Sequence, residues 1–258
     1  MRSLKTALVA VPALLLAACT ATMQTTSGAD YLARYSQYPD TAAVAGEGGA
    51  SDTDAEVRRI AAIEPELQFP ARIGLARIGP GGELAAISGN ELAIWADLAA
   101  SVGPEAGELV PVSPLIAAMV SDPPGYGSNR TAAVIDHIRK GAARQHLDYV
   151  LVYETGLTRT DKANGLALAD LTIVGMFVLP SRDVEVSASA SGLLLDVRNG
   201  YPYATLTSYA EKKGFTRLIN TASTKQELSL DAEEEAVLEL SKDVRTALGQ
   251  LMEAAAEK

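Results

Sequence analysis

Two apolar periods meet in the last third of the chain, and together they leave few architectures open. From Val184 to Val197 the chain reads as a strand in which Val184, Val186, Ala188 and Ala190 alternate with Glu185, Ser187, Ser189 and Ser191. That period of two puts one set on each face. Asn199-Gly200 follows, and then a second extended run from Tyr201 to Ala210, carrying Tyr201, Tyr203, Thr205 and Thr207. Asn-Gly between two such runs predicts a hairpin closed by a type I′ turn, whose two central residues both take positive φ. The period then changes. Val237, Leu240, Val244, Leu248 and Leu251 recur at intervals of three and four, which predicts a helix from about Asp231 to Ala255. Glu233, Glu234 and Glu235 would lie in its first turn, where the helix dipole favours negative charge.

Upstream, Thr53 and Glu56 are spaced as a capping box before Val57, Ile60 and Ile63, predicting a short helix stopped near Pro65. Ala71 to Ile78 reads as a buried strand. Asn90 to about Val102 reads as a helix with Leu92, Trp95 and Leu98 toward the core, and Glu108 to Val112 as a second strand. Asn129 can cap a helix to about Gln145, with Val134, Ile135, Ile138 and Ala142 on one face, leading into a strand from Tyr149 to Tyr153. A polar loop and an extended stretch from Leu171 to Leu179 precede Val184. The expected fold is α/β, a mixed sheet opening β-α-β-α-β and continuing as an antiparallel meander. Helices cover it, and a long C-terminal helix ends it.

At the other end, Met1, Arg2 and Lys5 make a short positive start. Ala7 to Ala18 is almost wholly apolar, and Cys19 follows. This is the layout of a secretory signal. A helix of about a dozen residues extends roughly 18 Å, against a hydrocarbon core about 30 Å thick, so it cannot be a permanent span. Leu16-Ala17-Ala18-Cys19 resembles the lipobox of bacterial lipoproteins. The resemblance implies that Leu16, Ala17 and Ala18 are read by the signal peptidase, that residues 1–18 are removed, and that Cys19 carries covalent lipid, palmitate included. An ordinary signal peptide with a chance cysteine is the competing reading. One acyl chain is a marginal anchor at about 0.8 kcal/mol per buried methylene, whereas a multiply acylated cysteine holds permanently. Thr20, rather than aspartate, after the cysteine looks like a signal for the outer membrane, with the domain in the periplasm. Cys19 is the only cysteine, so internal disulfides and Cys-based zinc or redox motifs are excluded.

Residues 19–51 are rich in Thr, Ala, Gly and Ser and read as a lipidated N-terminus and flexible tether, with an r.m.s. span of roughly 30 Å. Within it Tyr31, Leu32, Tyr35 and Tyr38 have helix-like spacing and are expected to dock on the domain. Residues 52–258 then make a single α/β domain. The whole chain carries a formal charge of −10, and loss of Arg2 and Lys5 makes it more acidic. Phosphates repel such a chain, so nucleic acid is not an expected partner. The expected partners are the membrane, through the lipid, and another envelope protein. The sequence does not set an oligomeric state.

The run Leu171-Thr172-Ile173-Val174-Gly175-Met176-Phe177-Val178, followed by Leu193-Leu194-Leu195-Asp196-Val197-Arg198 and Asn199-Gly200, resembles the rhombotarget lipoproteins of the bacterial envelope. Leu195 to Gly200 is also similar, more weakly, to the periplasmic domains of curli-secretion lipoproteins. Both resemblances imply a lipid-anchored α/β domain in envelope assembly, protein secretion or surface display, and neither supplies a catalytic residue.

The sequence assembles no catalytic set, no metal site and no cofactor motif beyond the lipid on Cys19. The reading therefore favours a non-catalytic interaction module, with a periplasmic ligand-binding or hydrolytic domain, or a subunit of a secretion pore, as alternatives. Gly79-Pro80-Gly81-Gly82 lacks the third glycine of a dinucleotide fingerprint and reads as a turn. If a ligand site exists, the first choice is the loop of Gly125, Gly127, Ser128, Asn129 and Arg130, which runs into a helix N-terminus. An ordinary loop-to-helix junction needs the same residues. His137 and His146 lie roughly 14 Å apart along a helix and cannot share a metal. Glu154, Asp161 and Asp170 cluster around a strand end and the loop after it, either as an acid-base pair or as solvating acids. The Glu185 to Ser191 alternation fits a pore lining or a half-buried sheet.

Overall fold

The apolar run Ala71–Ile78 needs cover on both faces, and the fold is assembled around it. The structure, a computed structural model, describes residues 20–35, 52–120, 130–163, 182–216 and 220–257. In chain order its elements are β1 (Thr20–Met23), α1 (Gly28–Tyr35), α2 (Asp52–Ala61), β2 (Ala71–Ile78), β3 (Leu84–Ala85), α3 (Gly89–Val102), β4 (Gly107–Pro111), α4 (Pro114–Met119), α5 (Arg130–Arg144), β5 (Tyr149–Ala163), β6 (Arg182–Asp196), β7 (Pro202–Thr216) and α6 (Thr221–Ala256). The described strands form one open mixed sheet in the order β1-β7-β6-β5-β2-β3, with β4 pairing β2 beside β3. β2 runs parallel to β4 and β5, and β5, β6 and β7 form the expected antiparallel meander.

The core has two parts. On one face of the sheet, Trp95 and Leu98 of α3 and Val237, Leu240, Leu248 and Leu251 of α6 pack on Ile73, Leu151, Val186 and Leu206. On the other, Ala117 of α4 and Ile138 and Ala142 of α5 pack on Ala76, Val150, Val152 and Leu195. Close approach at the β2–β4 seam depends on Gly107, whose φ is 101°. A Cβ there would lie 2.0 Å from the Ala71 carbonyl oxygen.

β5, β6 and β7 are each 15 residues long, about 50 Å at ~3.4 Å per residue. α6 has 36 residues, about 54 Å at ~1.5 Å per residue. The helix thus matches the strands it covers, and both outrun their expected lengths. β5 continues ten residues past Tyr153, because Glu154 to Ala163 pairs with β6 along its whole length. α6 begins at Thr221, ten residues before Asp231. Its early turns lie along the extended hairpin, where Thr224 Oγ1 meets Thr216 Oγ1 at 2.9 Å and Arg159 Nε donates to Ser229 Oγ at 2.6 Å. Glu233, Glu234 and Glu235 therefore lie mid-helix and owe nothing to the helix dipole. Glu234 instead accepts from Asn90 Nδ2 at 3.0 Å and Glu235 from Lys212 Nζ at 2.5 Å.

Other local expectations change with helical phase and turn geometry. α2 begins at Asp52, so Thr53 is inside the helix, and Glu56 binds Arg59 instead of closing a capping box. Val57 and Ile60 are exposed, while Ile63 packs on the core. In α3, capped by Ser88, the inward positions are Glu91, Trp95 and Leu98, and Leu92 is exposed. The β6–β7 turn is not type I′, since Gly200 has a positive φ and Asn199 does not. Asp196 N donates to Tyr201 O and Gly200 N to Asp196 O, which makes a longer loop with glycine at the left-handed position. A register shift at Leu194/Leu195 accompanies it. Tyr201 and Tyr203 are consequently buried, out of phase with the exposed Thr205.

The stretch read as a tether contains structure. β1 pairs antiparallel with β7, Thr20 opposite Thr207 and Met23 opposite Ala204, and Met23 packs on the core. Those four residues complete the edge of a sheet already templated by β7, which short local patterns do not announce. Gly28 opens α1 against the Ala61–Ala62 backbone. Tyr38 and the rest of residues 36–51 lie outside the described residues.

Candidate functional site

Two buried polar clusters hold the ends of the strands. In the first, Asp196 ends β6 with an exposure of 0%. Its carboxylate accepts from Arg198 Nη2 at 2.9 Å, Arg198 Nε at 3.2 Å and the Arg198 backbone N–H at 2.8 Å. Tyr203 Oη donates to it at 3.4 Å. This hub ties the chain before β2 to the sheet. Arg198 Nη2 donates to Glu66 O at 3.1 Å, Asn199 Nδ2 to Glu64 O at 3.1 Å, and Tyr203 Oη accepts from Glu66 N at 2.9 Å. Tyr149 Oη accepts from Gln68 N at 2.7 Å. Burial pushes the Tyr149 and Tyr203 hydroxyls up, the Gln68 N–H opposing it at Tyr149 and the Asp196 charge adding to it at Tyr203. The Asp196 contact raises the Arg198 guanidinium.

In the second cluster, at the end of β2 and the start of α3, Tyr153 Oη donates to Glu91 Oε2 at 2.6 Å and Arg77 Nε lies 3.0 Å from the same oxygen. Burial, and then the bond to Glu91, hold the Tyr153 hydroxyl far above its ordinary range. Trp95 packs against Tyr153 with ring centroids 5.1 Å apart and the planes tilted by 58°. Both clusters bind their acids to partners within the fold, so their chemistry is that of structural ion pairs.

The hydroxyl-rich surface lies elsewhere. With Val184, Val186, Ala188 and Ala190 buried under α6, Glu185, Ser187, Ser189 and Ser191 share the opposite face with Thr205, Thr207, Tyr209, Glu211, Lys213 and Phe215. Ser191 meets Thr207 at 3.4 Å, Thr205 donates to Thr22 at 3.2 Å, and Lys213 bridges Glu185 and Glu211 at 3.2 and 2.8 Å. This is the half-buried sheet that the alternation allowed. β1 covers the outer edge of β7 from Ala204 to Thr207, Gln24 N adds a bond to Tyr203 O at 2.9 Å, and among the described residues no strand pairs with that edge from Ser208 onward. Tyr209 and Phe215, beside that open stretch, are 64% and 75% exposed. A separate groove of ≈ 570 Å³ runs between Leu67, Phe69 and Met252.

The sequence candidates are dispersed. Leu16, Ala17, Ala18 and Cys19, the loop residues Gly125, Gly127, Ser128 and Asn129, Asp170, and the Leu171 to Leu179 run lie outside the described residues, and Arg130 opens α5. Gly79 to Gly82 is a plain turn, with Gly82 N donating to Gly79 O at 2.9 Å. His137 lies on α5, and His146 follows it in a turn with φ 55°. Glu154 and Asp161 are on one strand, not a loop. Seven residues of strand separate them by roughly 23 Å, too far for paired acid-base work. Sequence reasoning misses Asp196 and Glu91 as buried charges, and the half-exposed Arg198 that binds the first, although an aspartate inside Leu193-Leu194-Leu195-Asp196-Val197 is a signal for a buried charge.

No protein-family profile matches the chain, and no curated protein is similar to it. Among solved structures, a dodecamer of a PelC point variant from Paraburkholderia phytofirmans is 13% identical, with 71% of this chain and 92% of that chain covered and a TM-score of 0.32. Lipoprotein GNA1162 from Neisseria meningitidis is 19% identical, with 56% and 85% covered and a TM-score of 0.28. TM-scores this low do not establish a shared fold.

Proposed function

We propose that the chain is a lipid-anchored module of the bacterial cell envelope, held at the outer membrane with its domain in the periplasm, that binds another envelope protein and performs no catalysis. Residues 1–18 are then the signal peptide and Cys19 the acylated residue, and kinship with the rhombotarget lipoproteins belongs to the same proposal. The observation that supports it is the junction. The residue after the lipobox-like Leu16-Ala17-Ala18-Cys19 is already the first of a sheet strand, so a cut before Cys19 delivers a lipidated residue directly onto a folded body. The acids that the fold buries, Asp196 and Glu91, are bound by Arg198, Arg77 and Tyr153, which is consistent with a binding rather than a catalytic role.

Expression of the full chain and of Cys19→Ala in a Gram-negative host tests the proposal. The mature wild-type protein should begin at a Cys19 carrying diacylglycerol and acyl mass and fractionate with membranes, and the variant should be released folded. An unmodified mature N-terminus, or a Cys19→Ala protein that stays with membranes, would refute it.

A further inference from the structure

We infer that the groove between the segment before β2 and the end of α6 is where the partner protein docks, and that it takes an apolar side chain flanked by arginine or lysine. The inference rests on the binding role proposed above and adds to it the surface used and the chemistry of the segment bound.

One wall of the groove is Leu67, Gln68 and Phe69, the other is Met252, Ala255 and Ala256 of α6, and Glu105 completes the lining of a space of ≈ 570 Å³. That is within the range of roughly 300–1,000 Å³ found for binding pockets. Both walls are fixed by the fold. Gln68 N donates to Tyr149 Oη at 2.7 Å, and the Phe69 ring lies against Tyr149 with centroids 5.8 Å apart. Leu251, with an exposure of 0%, pins the opposite wall in the core. Met252 is the adaptable part, since an unbranched thioether repacks around apolar guests of different shape. Gln68, Glu105 and Ala256 are exposed, so the groove opens to solvent and suits a side chain on a partner's surface rather than an enclosed small molecule. Charge then selects the guest. Glu105 is the only ionisable residue of the lining, and among the described residues no cation pairs with it. The arginines close to this segment are committed elsewhere, Arg72 to Glu108 at 3.2 Å and to the Gln145 carbonyl at 2.9 Å, and Arg198 to Asp196 at 2.9 Å. The last turn of α6 has no basic residue. Ala255 and Ala256 lie in that turn, where a helix carries roughly half a negative charge on carbonyls with no intrahelical partner. Glu253 and Glu257 flank them in the chain. A basic residue beside the apolar guest complements all of these groups, whereas an acidic segment or an anionic headgroup is repelled.

The test titrates the full chain, labelled with carbon-13 at the methionine methyls and held in a neutral maltoside detergent, with three capped hexapeptides. The first carries leucine and phenylalanine followed by two arginines, the second replaces the arginines by glutamates, and the third replaces the apolar pair by serines. Met252 reports from the groove, and Met119, 77% exposed on α4, reports indiscriminate apolar contact. The Met252 methyl resonance should move saturably with the first peptide alone, while that of Met119 stays. Glu105→Gln should weaken this binding about two- to fivefold, the range of exposed ion pairs, and added salt should weaken wild type in the same way. Ala256→Phe, which fills the groove, should abolish it. Both replaced side chains are exposed, and melting curves matching wild type confirm the fold of each variant. An unmoved Met252, equal shifts with the arginine and glutamate peptides, an affinity untouched by Glu105→Gln, or a matching shift at Met119 overturns the groove and leaves the binding role to another surface. The titration needs no membrane, so failure of the anchor in the Cys19→Ala fractionation is told apart from failure of the groove.

Discussion

Replacing Asp196 with Asn keeps the size of the side chain and removes the charge on which the hub is organised. The carboxylate has an exposure of 0%, whereas Arg198 is 42% exposed. Breaking a buried pair costs about 3–5 kcal/mol, but the half-exposed guanidinium can recover water, which sets the expected loss near 3 kcal/mol. Part of that loss belongs to the Arg198 backbone N–H, which would face an amide in place of a carboxylate at 2.8 Å. For a domain of this size, about 2–4 °C is lost per kcal/mol, so the melting temperature should fall by roughly 6–12 °C. Equilibrium urea unfolding followed by circular dichroism measures the change, with an unaltered slope showing that the folded area is the same. Limited proteolysis should find new cuts between Glu64 and Gln68, because Arg198 and Asn199 hold that stretch through the Glu66 and Glu64 carbonyls. A loss below about 0.5 kcal/mol, the range of neutral surface changes, would show that Asp196 does not organise the turn.

Two further outcomes follow from backbone geometry and from the buried phenols. Gly107→Ala should cost at least about 3 kcal/mol and depress soluble yield, since the new Cβ meets the Ala71 backbone, while Gly82→Ala, with φ 75° and open space around it, should cost about 1–2 kcal/mol in the same urea assay. Tyr149, Tyr153 and Tyr203 have folded pKa values raised above the ordinary 10.0, so their contribution to stability is complete below that pH and is lost as pH rises beyond it. Their tyrosinate absorbance should therefore appear together with loss of circular dichroism on alkaline titration, and ionisation of all three in a still-folded protein would contradict the burial argument.

The β-α-β-α-β opening, the hairpin and the long helix are legible because each carries several apolar residues in one strict period. The extensions are not. Thr155 to Lys162 has Leu157 as its one large apolar side chain, too little for a period, and it is a strand because β6 offers β5 fifteen residues of backbone partner. Thr221 to Leu230 has little apolar stripe, and it is helical because strands of that length leave a face to cover. β1 is four residues whose only instruction is the edge of β7. The same holds for the polar clusters. The Asn199-Gly200 pair is readable as a turn, but that it folds around a buried Asp196 depends on Arg198 and Tyr203 of the hairpin meeting Glu66, which lies 132 residues before Arg198.

The matched lengths of hairpin and helix have a mechanical meaning. Past the region where helices cover both faces, β5, β6 and β7 continue for roughly 30 Å, backed among the described residues by α6 alone. Such a two-ply arm is a cantilever, clamped at one end in the core. The strands can carry load at the tip as tension along covalent chain, and α6 as compression along its axis, with lateral shear resisted by side chains such as Leu228 and Arg159 between the plies. A push or pull on the far end is therefore delivered, with little bending, to the buried residues at its root.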